Sequence, residues 1–503
     1  MTRFSSQVQQ LAAVVFSSCL RKLSRIFSIR PVFPKGACCY CIAWVSIVLF
    51  STAVPVSATG PLLVLQHVTV VDVSSGALHP DRAVVIQGDR IIEVQPSTKA
   101  RLPKGTHIVD ASGKFLIPGL WDMHVHTIFG EWLPKDDKII LPLFVANGVT
   151  GVRDMGGDLE DLKVWRAQIT AGKLLGPRMV ISGPMLDGPV PRFPSSVPVK
   201  NAADGKRIVD ELQKSGADFI KIQSLIPRDG YFAAAEEANK LGIHFVGHVP
   251  DTVRASEASN AGQRSIEHLT GIFEGCSTVE EQLMKGPKGP ARFVETYSPE
   301  RAQVLITLFA KNQTWQVPTL LWEHGQWLID ESDFIRDPLT KYAPTAWKQR
   351  TWPMFTKDIL RDMDTDPLSV RQRFTQMELE MVNQMHKSGV PFLAGTDTAA
   401  GVNVFPGFSL HQELEYFVKA GFTPLDSLQT ATINPARFFG RTIDLGSVER
   451  GKLADLVLLD ANPLDDIRNT QKIRAVVLAG RYFSREQLDA MLLGVETAAA
   501  ASK

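Results

Sequence analysis

Chemistry in this sequence gathers on a few residues at the ends of β-like runs. Pro118-Gly119-Leu120-Trp121-Asp122-Met123-His124-Val125-His126 reads as the close of a strand. Side chains alternate faces along a strand, so His124 and His126 project the same way, and two imidazoles so placed can hold one metal ion. His248 ends IHFVGH, His268 ends RSIEH and Asp397 ends PFLAGTD, each with the parity that turns it to the same inner face. A single buried histidine is more often a hydrogen-bonded core residue than a ligand. Four histidines and an aspartate converging on one mouth are hard to satisfy without a metal.

Lys221, in ADFIKIQ, is the discriminating residue. Phe219, Lys221 and Gln223 share one face, while Ile220 and Ile222 take the other, which suits a helix-covered outside. The lysine therefore points inward, where an unpaired ammonium beside metal cations would be costly. One resolution is carboxylation by carbon dioxide, which makes a carbamate anion able to bridge two metals. The other is pairing with Asp397 or another acid.

Strand-like runs ending near His126, Asp154, Leu186, Gln223, His248, His268, Leu320 and Asp397 alternate with amphipathic stretches such as KRIVDELQKSG and YFAAAEEANKLG. That alternation predicts an α/β fold, a (β/α)8 TIM barrel over 118–440, with the ligands at its C-terminal mouth. Short β-rich runs with turn signals fill 59–117 and return at 441–485, which predicts a small β-sandwich built from both terminal segments. Residues 323–367, rich in Trp, Asp and Pro, fit no repeat and are read as an insertion over the mouth. Residues 486–503 are read as a tail.

Across 503 residues, 54 Lys and Arg balance 53 Asp and Glu, and no long basic run follows residue 60, so neither nucleic acid nor an anionic membrane is indicated as partner. The partner expected is a small molecule or short peptide, and self-association into a homo-oligomer stays open. Arg21 to Lys35 is basic, Cys38 to Val54 is apolar, and Val56-Ser57-Ala58 offers a cleavage site; residues 1–58 thus read as a signal peptide and the protein as exported, periplasmic or secreted. The competing reading is an uncleaved membrane anchor. Cys276 is the only cysteine after that segment, so no intrachain disulfide is expected.

The motifs TVVDVSSG, PGLWDMHVHT, GVTGVRDMGG, FIKIQ, VGHVP, SIEHLTG, LAGTDT and GSVERGKLADLVLLDANPL together resemble the amidohydrolase superfamily. The closer similarity is to its imidazolonepropionase-related branch of metal-dependent prolidases, arginine carboxypeptidase-like enzymes and ochratoxin amidohydrolases. The resemblance implies that His124, His126 and Asp397 hold one metal, His248 and His268 a second, and carboxylated Lys221 bridges them. The nitrogen-rich set favours zinc. The activity implied is hydrolysis of an amide or peptide bond by metal-activated hydroxide, with Asp397 shuttling the proton. The alternative is a one-metal deaminase or cyclic amide or amidine hydrolase of the imidazolonepropionase type, and Lys221 argues against it. Tyr231 resembles a family tyrosine that donates to the substrate carbonyl, although a helix-surface role fits it nearly as well. Arg192 and Arg228, in loops after the third and fourth strands, could each grip a substrate carboxylate, which points to dipeptides or N-acyl amino acids. Arg153 and Asp154 are read equally as substrate contacts or as an interior ion pair.

Overall fold

A computed structural model describes residues 62–130, 139–331, 336–363 and 366–502; the expected signal segment lies outside them. Among the described residues no helix is long and apolar enough to cross a membrane. Two β-arrays organise the chain. The first is one hydrogen-bonded sheet in which Arg481–Ser484, Ile473–Leu478, Leu456–Leu459, Phe115–Pro118, Leu62–Val71, Leu78–Gln87 and Arg90–Pro96 follow in order, with His107–Asp110 also paired to Leu62–Val71. Its seam is the antiparallel pairing of Phe115–Pro118 with Leu456–Leu459, which joins the two ends of the chain. Leu456–Leu459 is buried on both faces: Leu456 and Leu458 pack with Leu65, Ile86 and Ile91, while Val457 and Leu459 face the larger core of the middle region. That is why LVLL is continuously apolar instead of alternating.

The second array is parallel. Leu120–Val125 pairs with Val149–Asp154, which pairs with Arg178–Ile181. Asp218 N then donates to Ile181 O at 2.9 Å, at the start of Phe219–Ile222. His244–Gly247, Ser265–Glu267 and Trp315–Val317 follow in sequence. Segment 391–398 lies between the last and the first of these strands. Gln316 N donates to Pro391 O at 2.9 Å on one side, and Met123 N to Ala394 O and Asp397 N to His124 O, both at 2.8 Å, on the other.

The helices between strands start and stop where their sequences say. Asp158 and Asn201 accept from the N–H groups of Asp161 and Asp204, capping Leu159–Thr170 and Ala202–Lys214. Gly242, at φ 67°, ends Arg228–Leu241 in the left-handed conformation that glycine adopts most readily. Ile220 and Ile222 pack into the helix-side core with Ile208, Val209 and Ala234, so Lys221 takes the opposite face.

The third strand is bent: Ser182-Gly183-Pro184 breaks it after Ile181, and Met185–Asp187 resumes at the expected end near Leu186, pairing with Ser196–Pro198 and, through Leu186, with Ile222. Two expectations need correction. Leu320 opens a helix, Leu320–Trp327, instead of ending a strand, because Glu413 accepts from both Leu320 N and Leu321 N and so caps it. Residues 486–503 are no loose tail: alanine-rich Arg485–Ala501 is helical from a Ser484–Gln487 capping box, and it packs Val495 beside Leu143 and Tyr342.

The seam region tests how far the terminal halves depend on each other. Gly480, at φ 75°, lies where an added Cβ would run into the Gly88 carbonyl. Gly480→Ala is therefore expected to lower stability by about 1–3 kcal/mol, read from the urea midpoint. An unchanged midpoint would show that the two halves move apart at no cost.

Candidate metal centre

Six side chains that the sequence singles out meet in one cavity of about 370 Å³: His124, His126, Lys221, His248, His268 and Asp397. Asp397 is the hub. Its Oδ1 lies 3.1 Å from His126 Nε2 and 3.3 Å from His124 Nε2, and its Oδ2 lies 3.9 Å from His268 Nε2. The His248 ring stands edge-on to the His268 ring at 4.9 Å.

Each imidazole is held by its other nitrogen. His124 Nδ1 contacts Glu267 Oε2 at 2.9 Å, His126 Nδ1 the Gly156 carbonyl at 3.2 Å, His248 Nδ1 Ser224 Oγ at 2.7 Å, and His268 Nδ1 Thr319 Oγ1 at 2.7 Å. Pinning Nδ1 leaves Nε2 as the free ligand atom, the arrangement that orients histidines around metals. Burial, reinforced by the nearby Lys221, pushes His268 down to about 3 and His124 and His248 well below the usual histidine range. All three are thus neutral, the ligating form. Burial works against ionised Asp397, but the His126 hydrogen bond and the surrounding His268 and Lys221 hold it below the usual carboxylate range.

Within this ring, His124 Nε2 and Lys221 Nζ are buried without a hydrogen-bond partner. Such orphans are rare in folded proteins. Lys221 is 1% exposed, and burial lowers its pKa to about 8. His124, His268 and Asp397 can all place a ligand atom within 4.8 Å of one another. The donor set therefore fits a divalent metal: neutral imidazole nitrogens, an ionised carboxylate, and open positions toward the cavity.

The backbone is strained at the same spots. His268 (φ 58°), Thr319 (φ 48°) and Asp397 (φ 56°) are left-handed without being glycine, a conformation that persists where the surrounding structure over-determines it.

Arg153 resolves as an interior ion pair. Its guanidinium donates to both Glu267 oxygens at 2.9 Å and to Ser265 Oγ at 3.1 Å, with every partner buried. Glu267 thus joins Arg153 to the ligand His124. Asp154 accepts from Thr127 N and Oγ1 and is likewise structural.

Two expected substrate contacts do not line the cavity. Tyr231 is fully buried on the inner side of its helix, where its hydroxyl donates to Gln263 Oε1 at 2.8 Å and its ring packs against Phe245, away from the cavity. Arg228 lies outside the cavity, its fork taken by Glu257 at 2.5 and 2.8 Å. Arg192 does line the cavity, its guanidinium over the Phe193 ring and its backbone N–H on Asp187 Oδ2.

Sequence reading missed Glu267, Ser224, Thr319 and Trp322. Glu267 sits beside a ligand in SIEH and has no periodic signal of its own; the other three act through contacts distant in sequence. Gln326, Trp327, Phe355 and Ile359, within residues 323–367, line the same cavity as the candidate ligands.

Comparison with known proteins fits this geometry. The Amidohydrolase family profile matches residues 115–482. The chain is 38% identical over 436 residues to ochratoxinase from Aspergillus niger, covering 78% of this chain and 80% of that one. It is 23% identical over 426 residues to adenine deaminase 3 from Rhizobium meliloti, covering 80% of this chain but spanning only 56% of that protein's length. A putative prolidase from Bifidobacterium longum shares the fold with a TM-score of 0.62 at 24% identity, over 86% of this chain and 99% of that one. The chain belongs to the amidohydrolase family, enzymes that hydrolyse carbon–nitrogen bonds.

Proposed function

We propose that the protein cleaves an amide bond next to a free carboxylate, in a dipeptide or an N-acyl amino acid, with two divalent ions, zinc by donor type, held by His124, His126, Lys221, His248, His268 and Asp397. The observation that carries this reading is Lys221 Nζ, enclosed without a partner among four imidazoles and a carboxylate. An amine with a lowered pKa has the neutral fraction that can add carbon dioxide, and a carbamate there would supply an anionic ligand for divalent ions. Eight parallel segments hydrogen-bonded in succession support a closed (β/α)8 barrel, and the terminal strands, gathered in one sheet, support a small β-domain built from both ends in place of the expected sandwich. Export remains a reading of residues 1–58 alone.

Bound divalent ions supply Lewis acidity, lowering the pKa of water and polarising the scissile carbonyl. Asp397 is positioned to take the proton of the attacking water and to return it to the departing amine. Water adds to the carbonyl carbon, the C–N bond breaks, and an acid and an amine leave. Arg192, over the Phe193 ring at the cavity wall, is the residue for the substrate carboxylate.

One observation favours a second reading. His124, His268 and Asp397 alone form a compact three-ligand group, which suits a one-metal deaminase or cyclic-amide hydrolase of the imidazolonepropionase type. Metal analysis separates the two. Protein loaded in bicarbonate is expected to hold two equivalents, and Lys221→Ala to lose one of them together with at least ~10²-fold of kcat/KM, partly restored by short carboxylates. Saturation at one equivalent with full activity would contradict the two-metal reading.

Carboxylate recognition is tested by comparing an N-acyl amino acid with its C-terminal amide. Arg192→Ala is expected to cost roughly ten- to hundredfold in kcat/KM for the acid only, about 1.5–3 kcal/mol, while Arg228→Ala changes neither. Equal turnover of acid and amide by the unaltered enzyme would exclude such recognition.

A further inference from the structure

A second chamber of about 250 Å³ opens beside the metal cavity and shares Ser224, Asp251, His268 and Trp327 with it. Phe273, Phe293 and Phe374 line it as a cluster, with ring centroids 4.8 to 5.8 Å apart. Two carboxyl side chains also line it although the protein encloses them: Glu323 is 7% and Glu378 2% exposed. Glu378 Oε2 has no hydrogen-bond partner. Among the described residues, no lysine or arginine forms an ion pair with either glutamate. His324 Nε2 lies 3.5 Å from Glu378 Oε2. Burial pushes His324 down to about 4, so it brings no charge. Lys288, also on the wall, is already engaged by Asp251 at 2.8 Å and Glu274 at 3.1 Å. Buried carboxyls without a counter-ion cost stability unless a ligand or a proton answers them.

We propose that this chamber is a cation subsite that takes the protonated amine of the substrate, through Glu323 and Glu378 beneath an aromatic wall, so that free-amine dipeptides are preferred over acyl compounds lacking that charge. The inference rests on the amide-hydrolase reading and sharpens its substrate class. An ammonium suits the site twice, pairing with the carboxylates and lying against the negative faces of the rings. Burial raises both above the usual carboxylate range, reinforced by repulsion from Asp397 and Glu413 at Glu323 and from Glu323 at Glu378. An entering ammonium favours their charged form, and any proton it displaces leaves to solvent.

The placement also gives the substrate a direction. Arg192 stands on the His126 side of the centre, linked through Phe193 to Phe129 at 5.9 Å and from Phe129 to His126 at 4.5 Å. The chamber opens on the His268 side. Asp397 lies between these two histidines. A dipeptide with its carboxylate at Arg192 and its ammonium in the chamber would cross the metal centre at its amide bond.

The test uses metal-loaded full-length protein and a matched pair: a dipeptide, and its des-amino analogue with hydrogen in place of the ammonium group. The unaltered enzyme is expected to favour the dipeptide by roughly ten- to hundredfold in kcat/KM, mostly through KM. Glu378→Gln and Glu323→Gln, near-isosteric changes checked for folding by thermal unfolding, are expected to collapse that ratio toward unity. Equal use of both compounds by the unaltered enzyme, or a ratio kept in both variants, would overturn the proposal. Calorimetry with phenethylammonium reads the chamber without turnover. Binding that weakens at least about tenfold in Glu378→Gln supports the subsite, and binding that is absent or equal overturns it. Should neither compound be cleaved, the hydrolase reading fails while calorimetry still decides the chamber.

Discussion

A primary amine enclosed in protein with no acceptor within reach is the constraint around which this molecule is arranged. Lys221 stands on a strand whose other face is committed to the helices through Ile220 and Ile222, so its side chain cannot turn outward without exposing that apolar pair. Gly247 stands against it: a Cβ there would strike the backbone of Ile222 and crowd the Lys221 side chain. The lysine is thus directed among imidazoles of which burial holds His124, His248 and His268 neutral. Such an arrangement is unfavourable as it stands, and on the two-metal reading proposed above, cations and an anion would turn its orphaned atoms into ligands.

The rest of the site serves to hold that ring still. Every ligand histidine is anchored at Nδ1 by a group from a different part of the chain: Glu267, Gly156, Ser224 or Thr319. Glu267 is fixed in turn by Arg153, whose Nε also donates to the Met123 carbonyl at 2.5 Å, next to His124 itself. Asp122 accepts from His124 N, Thr396 N and Thr396 Oγ1, which ties the strand bearing two ligands to the segment bearing Asp397. Sequence dictates strands, strands dictate the mouth, and the buried polar network sets ligand geometry to the precision that metal binding requires.

Local pattern carried much of this. That His124, His126, Lys221, His248, His268 and Asp397 meet in one cavity was legible because strand parity and strand-end position are properties of a few adjacent residues. The helices with Asp158, Asn201 and Gly242 at their ends were legible for the same reason. What escaped was set by partners distant in sequence. Arg228 reads as a catalytic-side arginine until Glu257, 29 residues on, takes its fork. Tyr231 reads as a hydroxyl near the site until the helix rotation buries it on Gln263. Leu320 looks like a strand end until Glu413, 93 residues away, caps the helix that starts there. The alanine-rich terminus reads as a tail because its apolar stripe is thin, and only Val495 against Leu143 and Tyr342 reveals its docking.

The proposed carbamate on Lys221 is the point on which the account stands, and it can be tested directly. Metal-loaded protein equilibrated with isotopically labelled bicarbonate should show a carbamate carbonyl resonance by carbon NMR, and Lys221→Ala should lack it. A fully active enzyme with no such resonance would contradict the account, leaving Lys221 as a buried amine and the centre as a single-metal site.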